Sequence, residues 1–144
     1  MSASARTLTL SILPHRFSIL RFAPDAAVPA WASHGDFFSI TRTADELSIV
    51  CAKINVPAVL QTGTDWRVLK VHGPFQFDEI GVLENLSTPL AATAIGIFII
   101  STFDTDYLLV QSKDLRKACT TLQAAGHAIT DSDSVFNNTK ENDE

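Results

Sequence analysis

Asp104-Thr105-Asp106 is a D-x-D triplet that leads directly into an apolar run. Two carboxylates at this spacing can hold a divalent cation when further ligands join them. The same triplet forms a turn, because aspartate hydrogen-bonds its own backbone. No histidine or cysteine stands nearby to complete a transition-metal site, so the turn is the reading and no metal is expected. Glu79 is a second carboxylate, at the start of a helical pattern, where any acid is stabilised by the helix dipole. His15, His34, His72 and His127 are scattered, share no metal spacing and read as surface or strand-end residues. Cys51 and Cys119 lie far apart, form no redox or metal motif and read as core. Ser39, Ser48 and Ser101 stand in no G-x-S-x-G elbow, and isolated glycines leave no phosphate loop. No catalytic residue and no cofactor follow from these residues.

The elements that must carry these side chains are clearest in the second half. Trp66 to Val71 reads as a strand closed by Gly73-Pro74. Ile80, Leu83, Leu86 and Leu90 then recur at helical spacing, with Asp78 placed to cap the helix and Pro89 placed to kink or end it. Ile95 to Ile100 is a strand, Asp104-Thr105-Asp106 its turn, and Tyr107 to Gln111 its hairpin partner. Ser112 reads as the cap of a second helix with Leu115, Ala118, Cys119, Leu122 and Ala125 on one stripe; Gly126 stops it, and His127 to Thr130 adds a last strand. Strand, helix, strand, strand, helix, strand is the split βαβ order of an α+β, ferredoxin-like unit (βαββαβ), an antiparallel sheet with helices on one face.

The first half reads as a shorter version of the same plan. Thr7 to Phe22 is one long or broken strand, and Pro29 to His34 a single helical turn. Phe37 to Arg42 and Leu47 to Cys51 form a hairpin, and Val56 to Leu60 is a short second helix. Two related units are therefore expected in tandem, 7–64 and 65–131, followed by a disordered acidic tail over 132–144.

The chain has 144 residues, 46% hydrophobic and 19% charged, a globular balance, and a formal net charge of -5. From Asp131 to Glu144 there are five acids and one lysine, so the body is close to neutral. No Lys/Arg cluster marks a nucleic-acid footprint. The apolar stretch from Leu90 to Ile100 is too short for a membrane span, and the first residues lack a secretory pattern. A cytoplasmic protein without nucleic-acid or membrane partners is expected. In Ile95 to Ile100 both strand faces are apolar, which asks for a cover on each side and points to self-association, with a homodimer as the simplest form.

Gly96-Ile97-Phe98-Ile99-Ile100-Ser101-Thr102-Phe103-Asp104-Thr105-Asp106-Tyr107-Leu108-Leu109-Val110 resembles the strand-turn-strand of the ACT domains, in the tandem branch represented by cytosolic arginine-sensing ACT pairs. Ser39 to Cys51 and Trp66 to Leu90 are similar to the same branch, so that most of residues 37–128 is covered. ACT domains are ferredoxin-like regulatory modules that pair side by side and bind small ligands, often amino acids, at the interfaces. The resemblance implies contacts from Gly96 and Ile97 of one unit and from Glu79, Thr102, Phe103 and Asp106 of the facing one. The chemistry suits an amino acid. A backbone at glycine can approach a ligand closely, and two carboxylates can hold an ammonium or guanidinium. Two alternatives stay open: a ligand-free structural or protein-interaction module of the same fold, and an enzyme working through Glu79, Asp104 and Asp106.

Overall fold

The computed structural model describes residues 7–72 and 81–130. The chain forms two compact units. One joins the residues up to Pro14 to those from Val68 onward; the other is His15–Arg67.

The first unit is built on β1 (Thr9–Ile12), β5 (Trp66–Val71), α1 (Val82–Ala92), β6 (Ile97–Ser101), β7 (Asp106–Gln111), α2 (Leu115–Ala124) and β8 (Ala128–Thr130). Its strands lie in the order β8-β1-β5-β7-β6. The hairpin β6–β7 is antiparallel, with Phe98 opposite Leu109 and Ser101 opposite Asp106. β1 is antiparallel to β5 and parallel to β8. Strand alternation sends Leu10, Leu69, Val71, Leu108 and Val110 to one face, where they meet the stripes of both helices: Val82, Leu86 and Leu90 from α1, Leu115, Ala118, Cys119 and Leu122 from α2. Each fully buried leucine contributes about 1.5–3 kcal/mol, so this one-sided layer carries most of the unit's stability. The result is the expected α+β, ferredoxin-like arrangement.

It departs from the expected boundaries at one strand. The sequence places residues 7–14 with the first half; their pairing places them between β5 and β8 of the other unit. Thr7 to Phe22 is broken at Pro14-His15, where His15 adopts a left-handed φ of 80°. Two further starts move. Gly81, at φ 85°, precedes α1, which begins at Val82; the expected cap Asp78 lies outside the described residues. Ser112–Asp114 wind as a 3-10 turn, so α2 begins at Leu115. Pro89 stands inside α1, which continues to Ala92. Gly126 closes α2 at φ 100°, as the left-handed stop requires.

In His15–Arg67, β2 (Phe17–Phe22), β3 (Ser39–Arg42) and β4 (Leu47–Ala52) are antiparallel neighbours in the order β3-β4-β2. Phe17 pairs with Trp66 at the start of β5. The helical segments expected over 29–34 and 56–60 are 3-10 turns, Ala30–Ser33 and Ala58–Leu60, and Lys53–Asn55 forms a third that was not expected. Pro29 and Pro57 stand directly before two of them, and segments this short cannot offset the cost of nucleating an α-helix. Ala32 from the first of these turns and Val56, directly after Lys53–Asn55, close a core of Leu20, Leu47, Ile49 and Cys51. Arg42 holds the connection after β2 by donating to the carbonyls of Pro24 and Ala26.

Candidate functional site

The hairpin turn between β6 and β7 is fixed by its threonines. The Thr102 N–H and Oγ1 both donate to the Thr105 carbonyl, at 2.8 and 2.9 Å, and the Thr105 N–H donates to Thr102 Oγ1 at 3.2 Å. Thr105 is buried, and its Oγ1 donates to the Val71 carbonyl at 2.5 Å, which ties the tip to the end of β5. Sequence reasoning gave Thr105 no role beyond the turn. The signal available was a β-branched hydroxyl between two aspartates, a poor choice for a turn that is only solvated.

Asp106 opens β7, half-buried. Its Oδ1 accepts a 2.5 Å hydrogen bond from the Ser101 hydroxyl across the hairpin, so the carboxylate is oriented. Thr102 is exposed beside it, and Phe103 at the tip is 80% exposed. Glu79 lies outside the described residues. At the other end of β6, Gly96 is exposed, and a Cβ built on it meets nothing within 4 Å. Its φ is not left-handed, so open space beside the backbone distinguishes the position, not conformation. Ile97 follows, half-buried against the helix-side core.

The structure thus brings Thr102, Phe103 and Asp106 together at one end of β6 and sets Gly96 and Ile97 at the other. Six residues of extended chain separate Gly96 from Thr102, about 20 Å. No single ligand the size of an amino acid spans that distance. Among the described residues no three His, Cys, Asp or Glu side chains gather where they could hold a metal ion. No helix among them is long and apolar enough to cross a membrane.

Two polar side chains lie deeper than their sequence context suggests. His127, expected at a surface or strand end, is 6% exposed, and Arg67 is buried at 9%. Burial pushes the Cys51 thiol above its ordinary range, which suits the core role expected of it.

Comparison with known proteins adds a family. The family model described as the ACT domain matches residues 61–124. A second model, described as an N-terminal domain, matches residues 15–59, inside the His15–Arg67 unit. The cytosolic arginine sensor for mTORC1 subunit 1 of Rattus norvegicus is 32% identical over 73 residues, 50% of this chain and 22% of that protein. Its Homo sapiens counterpart is 36% identical over 63 residues, 43% of this chain and 19% of that protein. These matches therefore cover about a fifth of the length of the curated relatives. Among solved structures, protein Atu0741 from Agobacterium tumefaciens is 43% identical with a TM-score of 0.81, over 88% of this chain and 95% of that one. Protein VC0802 from Vibrio cholerae, titled a possible transport protein of unknown function, shares the fold at 15% identity and a TM-score of 0.68, over 84% of this chain and 91% of that one.

Proposed function

Residues 61–124 match the ACT-domain model, and from that similarity we propose that this chain is a non-catalytic regulatory module whose small ligand, an amino acid, is held at an interface between ACT units. The interface joins two copies of the chain, and the protein works in the cytoplasm as a homodimer. Residues 15–67 act as an abbreviated ACT unit in tandem with the complete one.

One observation carries the reading. The two halves of the site lie at opposite ends of β6, and among the described residues β6 has one neighbouring strand, β7. Antiparallel pairing of two β6 strands about Ile99 sets Gly96 of one copy opposite Thr102 of the other. Each end of the joined strands then holds both sets: the open backbone at Gly96 and Ile97 from one copy, and Thr102, Phe103 and Asp106 from its mate, the set to which the resemblance assigns Glu79. The Asp106 carboxylate, oriented by Ser101, takes the ligand's cationic group. A ligand held by both copies favours their paired state, which couples binding to assembly.

Thermal unfolding against the twenty amino acids, each at millimolar concentration, tests this. A ligand confined to the native state stabilises it by about 2.7 kcal/mol at a hundredfold excess over its dissociation constant. One or two amino acids should raise the midpoint by several degrees, and Asp106→Ala should abolish the shift. The second reading, a ligand-free interaction module, draws on Phe103, a large apolar side chain held at the tip of a well-fixed hairpin. A flat response to every amino acid selects it.

A further inference from the structure

The face of the first unit's sheet turned away from α1 and α2 carries an arrangement that the ACT reading does not use. Leu10, Val71 and Ile129 point to the helices, so their neighbours point the other way. Ser11 stands in register between Lys70 of β5 and Thr130 of β8. One step along the sheet, Thr9 lies between His72 and Ala128. None of these six positions is an acid, in a chain with 16 acids and a net charge of -5.

Two of the six are linked, and a third lies beside them. His72 Nε2 lies 2.8 Å from Ser11 Oγ. With the Nε2 proton donated to Ser11 Oγ, the serine hydroxyl turns its own proton outward. Lys70 sits directly across from that serine, half-buried. Its ammonium has neither an ion pair nor a side-chain hydrogen bond among the described residues. A half-buried ammonium loses hydration, and no carboxylate among the described residues compensates it.

We propose that Lys70, Ser11 and His72 bind an oxyanion, a phosphate or carboxylate group, on the helix-free face of the sheet. The ammonium supplies the charge and the His72-to-Ser11 link supplies an aligned hydroxyl donor. Asp106 shares the opposite face with Leu108 and Val110, so this is a separate site that does not depend on the amino-acid reading.

The test titrates the full chain, isotopically labelled, with inorganic phosphate, with acetate and with chloride as an ionic-strength control, following amide shifts in two-dimensional NMR. Saturable shifts confined to Thr9, Ser11, Lys70 and His72 are expected. Lys70→Gln should weaken the affinity about tenfold, the loss of one charge-assisted contact, while Lys70→Arg should retain it. Ser11→Ala gives an independent variant that leaves the cation in place and should also weaken binding. Response to both anions identifies a carboxylate as sufficient; response to phosphate alone identifies a phosphorylated ligand. No saturable shift with either, the same shifts with chloride, or unchanged affinity in folded Lys70→Gln overturns the proposal.

Discussion

His127 Nε2 lies 3.0 Å from the carbonyl oxygen of Asn85, the oxygen that Pro89, lacking an N–H, cannot serve within α1. The other ring nitrogen, Nδ1, accepts the Leu8 N–H at 3.1 Å. One buried imidazole, read from its partners as the Nε2–H tautomer, therefore completes a helix, the lead into β1 and the entry to β8. The proline tolerated inside α1 and the histidine before β8 are two halves of one device.

Removing the ring leaves the buried Leu8 N–H and the part-buried Asn85 carbonyl without partners, at about 1–3 kcal/mol for the first and about 1 kcal/mol for the second. His127→Ala should lower stability by about 2–4 kcal/mol. In a Pro89→Ala background the restored backbone N–H can serve the Asn85 carbonyl, so the same histidine change should cost about 1 kcal/mol less. Denaturant unfolding of the four proteins of this cycle measures the coupling; strict additivity would falsify the link.

Asp106 is held by Ser101, and the two act in sequence. Ser101→Ala should preserve the fold and weaken ligand-induced stabilisation by about tenfold in apparent affinity, through loss of carboxylate orientation. Asp106→Asn should abolish it. Calorimetric titration with whichever amino acid raises the unfolding midpoint reads both; full binding by Asp106→Asn removes Asp106 from the site.

Pairing of two β6 strands predicts a sensitivity to charge on that edge. Ile100 lies on the helix-free side, half-buried and away from the core that holds Ile97 and Ile99. Ile100→Lys should give a folded monomer, since edge lysines block strand addition. Sedimentation velocity beside far-UV circular dichroism decides it: a dimer that persists in the variant rules out this edge.

Cys51 and Cys119 are both buried and form no disulfide among the described residues. Neither should react with a thiol reagent under native conditions, and both should react after unfolding. Because burial raises the Cys51 pKa above 9.0, the unfolded chain loses its thiol proton first as pH rises. The contribution is fully present below about pH 9 and is lost above it, so stability should fall on the alkaline side. Cys51→Val should flatten that limb of a pH–stability curve.

The legible parts of the fold were those whose signal is local. Leu115, Ala118, Cys119 and Leu122 repeat at helical spacing and Gly126 ends them, so α2 could be read off the chain. The β6–β7 hairpin followed from two apolar runs around Asp104-Thr105-Asp106. What escaped was decided at long range. Nothing in a four-residue strand states that β1 will lie between β5 and β8, because its alternation fits any sheet with one buried face. His127 carries no motif; its clue was Pro89 in a helical pattern, which orphans a carbonyl and asks where the missing donor comes from. The candidate site was read from the resemblance as residue types already divided between two units; what the sequence could not state is the Ser101 hydroxyl that orients the Asp106 carboxylate across the hairpin.

The placement of β1 also sets an order of events during synthesis. Leu8 and His127 are 119 residues apart in the chain. At roughly 5–20 residues per second, β1 leaves the ribosome on the order of ten seconds before β8 can lie beside it. His15–Arg67 is one continuous segment and can close while the remainder is still being made. The first unit, by contrast, stays open until its last helix and strand emerge. In that interval the alternating Leu8, Leu10 and Ile12 form an uncovered adhesive strip, the part of the nascent chain most in need of a chaperone.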